Sequence, residues 1–376
     1  MLALAIALGA CNEPVFYIIS VEPPIADPLI GGSPANFAVY NNEVYTASGR
    51  RIYSYDANKW KLISSQPGGR IVTLAATGSY LYAFCLQDSG GNTNINLRRY
   101  SSSGGWDDVT GDTGGYNMLQ SVYAANDKVF IGAQNKDSYF IILYIDEALD
   151  LEFKALTQGG TKEEPVGMLC GVAFDSLNSN YYLCTRSDTI YVADENLTDI
   201  QPKKIEGVNF TGIINLEIDD FIVAISRSGD LYNVKAISDE KDTSDLKISI
   251  GNNRHSTGAL AVWHEADGTP RLLLAGRQDR LDYTVDSGYT YGYMELELDS
   301  AGIKADMDFI EPGKASPSSV ADYERYVSTL GKYPVNHIFQ APAQTDPNMT
   351  LFASTQKNGV WSYKERNGIP QWNAEE

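Results

Sequence analysis

Tyr181-Tyr182-Leu183-Cys184-Thr185-Arg186-Ser187-Asp188-Thr189-Ile190-Tyr191-Val192 reads as two strands joined by a tight corner. An apolar run comes first, a polar corner follows, and a run with a central aromatic comes last. Ser and Asp favour such corners because their side chains bond nearby backbone groups. Alternation with period two marks a strand with one face buried. Ahead of the pair lies Leu169–Phe174, a near-continuous apolar run of the kind buried on both faces.

The same unit recurs along the chain. Its second strand returns as Val44-Tyr45-Thr46-Ala47, Leu81-Tyr82-Ala83, Val129-Phe130-Ile131-Gly132, Phe221-Ile222-Val223-Ala224, Leu272-Leu273-Leu274-Ala275 and Leu351-Phe352-Ala353. With Tyr181–Cys184 that makes seven copies, most of them about 40–50 residues apart, the size of one four-stranded propeller blade. Each copy is preceded by an apolar run: Phe37–Tyr40, Ile71–Ala75, Leu119–Tyr123, Leu169–Phe174, Ile213–Leu216, Ala259–Trp263 and Val335–Phe339. Several are followed by an aromatic-centred strand, as in Ile52-Tyr53-Ser54-Tyr55, Leu231-Tyr232-Asn233-Val234 and Val360-Trp361-Ser362-Tyr363. A weaker outer strand closes the unit, as in Trp60-Lys61-Leu62-Ile63.

The expected blades are 35–66, 70–112, 116–160, 166–207, 209–252, 257–313 and 334–376, making one all-β propeller over 35–376. Insertions at Arg277–Thr290 and Ala315–Lys332 blur the last units, so six or eight blades stay open beside seven. The second insertion has helical character near 316–330. The pattern resembles the seven-bladed β-propellers of bacterial lipoproteins. It lacks the Gly-His and Trp-Asp signature of WD repeats and the double glycine of kelch.

The N-terminus carries the other part of that resemblance. Leu2–Leu8 is apolar but too short to span a bilayer, which takes about 20 residues. Leu8-Gly9-Ala10-Cys11 follows it and resembles a lipobox. This implies a signal peptide over 1–10, lipid attached to Cys11, and a cell-envelope location on the periplasmic side or the outer surface. No Lys or Arg precedes the apolar run, which departs from the usual signal-peptide pattern. Residues 11–34, with Pro14, Pro23, Pro24, Pro28 and Pro34, read as a tether, and Val15–Val21 as an extra strand within it.

Composition narrows the partners. Net charge is −19, with 24 tyrosines and 20% charged residues. That field repels phosphate backbones, so nucleic acid is not an expected partner. No cofactor is expected. Calcium is the one metal that the acidic surface would suit, although Asp219-Asp220 and Asp306-Asp308 lack EF-hand spacing. Cys170 and Cys184 fall on neighbouring antiparallel strands, so either a cross-strand disulfide or buried thiols would suit them.

Catalytic motifs are missing. There is no G-x-S-x-G, P-loop or H-E-x-x-H, and the histidines are His255, His264 and His337. One feature recurs instead. After the second strand of each unit stands a long polar residue: Arg50, Gln87, Gln134, Arg186, Arg227, Arg277 and Gln356. Equivalent positions in a propeller form a ring on one face. Each Arg is placed either to pair with the Asp of its own turn or to offer a planar fork to a carboxylate or sulfate. The expected function is therefore binding of a protein or an acidic or glycan ligand. A saccharide-processing enzyme with carboxylates in the central funnel and a scaffold subunit of an envelope complex are the alternatives.

Overall fold

A computed structural model describes residues 29–56, 59–89, 92–111, 118–135, 137, 139–147, 150–156, 167–216, 221–237, 246–248, 256–265, 268–277, 293–299, 302–303, 330, 333–366 and 369–375. The lipobox, the Val15–Val21 strand, the helical insertion near 316–330 and most of the Arg277–Thr290 insertion lie outside these residues.

The seven expected units appear as seven four-stranded antiparallel sheets. Each is a simple meander in chain order, so the chain completes one blade before starting the next. The innermost strands are Ala38–Tyr40, Arg70–Ala76, Met118–Ala125, Leu169–Asp175, Phe210–Asn215, Ser256–His264 and Val335–Gln340. The second strands are Glu43–Ser48, Leu81–Ser89, Lys128–Gln134, Asn180–Thr185, Ile222–Ser226, Pro270–Arg277 and Leu351–Thr355. These second strands are the most deeply buried elements, because both of their faces meet neighbouring blades. Phe130, Ile131, Leu183, Val223, Leu273 and Phe352 are each fully enclosed.

Local departures from the expected strands have local causes. The third strand of blade five ends at Asn233, and Val234–Ala236 forms a 3-10 turn. The Asn233 side chain accepts a hydrogen bond from the Lys235 N–H, which stabilises the turn over a longer strand.

Blades are joined at the axis by side chains, because each innermost strand leaves one edge unpaired. Asn36 donates to Leu74 O at 2.7 Å and accepts from Leu74 N–H at 2.8 Å, linking blades one and two. Gln340 does the same to His264 between blades seven and six, both bonds at 2.9 Å. Asn215 donates to Phe174 O and Ser121 Oγ to Leu169 O.

The ring closes where blade seven meets blade one, and among the described residues no strand is shared there. Residues 29–33 act as a clasp. Leu29 N–H donates to Glu375 O, Val360 N–H to Ile30 O and Gly359 N–H to Gly32 O. An aromatic seam lies beside the clasp. The Phe352 ring sits 4.8 Å from Tyr55, 5.2 Å from Trp60 and 5.9 Å from Phe37.

Candidate functional site

In each meander, the connection from the second to the third strand falls at the same end as the entry to the innermost strand. All seven ring positions therefore lie at one end of the disc. Arg50 sits in the connection between Ser48 and Arg51, and Arg186, Arg227 and Gln356 directly follow Thr185, Ser226 and Thr355. Gln134 is the last residue of its strand. Gln87 lies inside a longer strand, paired with Asn94. Arg277 ends its strand, and its side chain is outside what is described.

Three of these hairpins share one construction. The buried hydroxyl just before the ring residue holds the turn backbone. Thr185 Oγ1 donates to Thr189 O at 2.8 Å, Ser226 Oγ accepts from Asp230 N–H at 3.0 Å, and Thr355 Oγ1 donates to Gly359 O at 2.9 Å. The ring residue itself is pinned through its N–H. Arg186 bonds Met168 O, Arg227 bonds Asn209 O and Gln356 bonds Pro334 O, at 2.7, 2.7 and 2.9 Å. Gly229 and Gly359 adopt φ of 85° and 73°, left-handed values that glycine tolerates without strain.

Arg186 and Arg227 do not pair with the carboxylates of their own turns. Asp188 accepts from Thr189 Oγ1, and Asp230 accepts from Ser228 Oγ and pairs with Lys247 at 3.0 Å. Arg50, Arg186 and Arg227 are exposed, and among the described residues their side chains make no hydrogen bond or ion pair. Two glutamines are held within their blades. Gln87 accepts from Asn96 and Gln134 from Gln120, at 3.1 and 3.3 Å. Exposed Arg51, Arg70 and Lys357 add positive charge at this end. Asp127, Glu195 and Asp199 are exposed in connections at the opposite end.

A second layer of residues lies just inside the ring, and sequence reasoning missed it. A β-bulge interrupts the pairing of first and second strands near this end in blades two to seven. The residues left out of register include Val72, Gln120, Cys170, Thr211 and Asn336. A bulge re-aims a side chain next to a site, but one extra residue leaves no mark on hydrophobic alternation. His337 follows Asn336 on the innermost strand of blade seven. It is partly exposed, yet burial holds its imidazole down to about 4.

The innermost strands are poor in acid groups. Asp175 is the one carboxylate among their described residues. It is buried, paired with Lys235 at 3.1 Å and bonded by Asn178 at 2.8 Å. Burial pushes its pKa up, but Asn178, Lys235 and the Leu177 N–H outweigh that and hold it below the usual carboxylate range. Among the described residues, no cluster of three or more His, Cys, Asp or Glu side chains is placed to hold a metal ion. None of their helices is long and apolar enough to cross a membrane.

The sequence matches no family model and no curated protein. Solved structures share the fold at low identity. YCF48 bound to D1 peptide is 11% identical with a TM-score of 0.51, covering 91% of this chain and 95% of that one. The Niastella koreensis GH74 enzyme is 12% identical with a TM-score of 0.57, and the chain spans 54% of its length and aligns over 93% of its own. A chain of the mitotic checkpoint complex is 8% identical with a TM-score of 0.54, covering 89% and 90% of the two chains.

Proposed function

We propose that the chain is a lipid-anchored extracytoplasmic binding module whose hairpin rim takes an anionic ligand, with acidic glycans as the class it suits best. The observation that carries the reading is the exposure of Arg50, Arg186 and Arg227, unpaired among the described residues, in the second-to-third-strand hairpins of three blades, on a chain of net charge −19. A guanidinium fork suits carboxylate and sulfate. The amides of Gln134, Gln356 and Asn336 suit sugar hydroxyls. Anchorage rests on Cys11 and its lipobox.

The saccharide-hydrolase alternative has the GH74 likeness behind it. It needs two carboxyl groups about 5–9.5 Å apart. The innermost strands offer Asp175, which is engaged by Lys235. The protein-docking alternative has one observation in its favour, the fold likeness to a protein solved with a bound peptide.

A thermal-shift screen with uronic, sialic and sulfated sugars, against neutral oligosaccharides, tests the reading. A ligand at one hundred times its Kd stabilises the fold by about 2.7 kcal/mol. The expected result is a shift with an acidic sugar that disappears in the Arg186→Gln/Arg227→Gln/Arg277→Gln variant, with the unliganded midpoint little changed. A shift that survives the triple change overturns the rim as the site. No shift with any sugar favours protein docking, and a pull-down from envelope extract then follows.

A further inference from the structure

We propose that Cys170 and Cys184 form an intrachain disulfide when the chain folds in an oxidising compartment. The bulge in blade four brings them together. Leu169 pairs with Thr185 and Gly171 with Cys184, which leaves Cys170 out of register. In a bulge two residues oppose one on the partner strand, so Cys170 and Gly171 share Cys184. Gly171 has no side chain to come between them.

Cys170 Sγ lies 3.5 Å from Cys184 Sγ. A disulfide needs about 2.05 Å, so closure shortens the gap by about 1.5 Å, within reach of side-chain rotation on backbones already held by the ladder. Cys85 is different: its thiol contacts Ala83 O at 3.6 Å, within its own strand.

In the folded chain both sulfurs are buried at the seam between blades four and five, where Cys184 also approaches Gly212 O. Burial and the neighbouring Cys170 raise the Cys184 thiol well above its ordinary range. The thiolate needed for exchange is thus suppressed once the seam has packed. The bond therefore closes before blade five packs against blade four, and it is shielded from reductants afterwards.

The step balances as thiol–disulfide exchange. Two thiols lose two protons and two electrons, and one S–S bond forms. The oxidant is the disulfide of an oxidising thiol–disulfide protein, or oxidised glutathione in vitro, which is reduced to two thiols. The product ties the first strand of blade four to the second, directly below Arg186. The proposal does not depend on what the rim binds.

The test is thiol mapping of the full chain refolded in oxidised and reduced glutathione, then denatured and alkylated. Trypsin leaves both cysteines in one peptide, 163–186. The expected peptide carries no alkyl label and is two hydrogens lighter than the dithiol. After reduction it takes two labels, while Cys85 is labelled in both cases. In Cys184→Ala, Cys170 is expected to become labelled without reductant. Two labels on wild-type 163–186 before reduction, or a glutathione adduct on either cysteine, would overturn the proposal. So would Cys170 staying unlabelled in Cys184→Ala.

Discussion

Arg186 and Arg227 owe their positions to the residue before each of them. Thr185 and Ser226 are buried, and their hydroxyls hold the turns that the arginines open. An unmade hydrogen bond in such a place costs about 1–3 kcal/mol, so these small side chains set the rim more firmly than the arginines do. His337 makes the fold sensitive to acid. Its pKa in the folded chain is about 4, against about 6.5 when unfolded. As pH falls through that window the unfolded chain takes up the proton first, so stability present above about 6.5 is lost by about 4. Asp175 acts below that window. Its depressed pKa contributes stability above the unfolded value of about 3.9, which is lost as pH falls further. Urea midpoints at pH 7 and pH 4.5 are expected to fall with acid in the wild type and to fall less in His337→Gln. Equal slopes in the two proteins would place the acid sensitivity elsewhere.

At the scale of the blade, an ion pair anchors the second strand of blade three to the third. Lys128 and Asp146 are paired in register, nearly buried, and 3.0 Å apart. The Lys128 ammonium also lies 5.8 Å from the centre of the Tyr181 ring. Removing one partner of a buried pair leaves an uncompensated charge, so Asp146→Ala should cost about 3–5 kcal/mol. Lys128→Met/Asp146→Leu should come close to the wild type by the same reasoning. Urea unfolding of the two variants checks this, and a mild Asp146→Ala would mean that water reaches the pair. The blades themselves were legible in the chain, because apolar runs and alternating aromatics repeat with the spacing of the strands. The bulges were not, because a bulge is a matter of pairing between strands and changes no local pattern. Gln120, Thr211 and Asn336 therefore went unnoticed as neighbours of the ring.

For the molecule as a whole, stability turns on the closing seam. Each blade begins and ends its own sheet, so blade seven is held to blade one by residues 29–33 and by packing. Phe352 is fully buried in that packing, between Phe37, Tyr55 and Trp60. Phe352→Ala should cost about 3–5 kcal/mol. If the seam is the last interface to form, the loss will appear mainly as faster unfolding. Stopped-flow rates decide between that and slower folding.

Periodicity alone determined that this chain is an all-β propeller of repeated blades, and it placed a polar residue at or near the end of the second strands. Those features depend on the order of apolar and polar residues along one segment, which is local information. Three matters were decided only by the tertiary structure. The Asp residues of the turns of Arg186 and Arg227 bond elsewhere, which leaves both arginine side chains without a partner among the described residues. The bulges place Gln120 and Asn336 beside the ring and Cys170 against Cys184. Among the described residues, the ring closes through a clasp and an aromatic seam, without a shared strand. Each of these depends on which distant segments meet, and a chain met as a sequence carries no record of that.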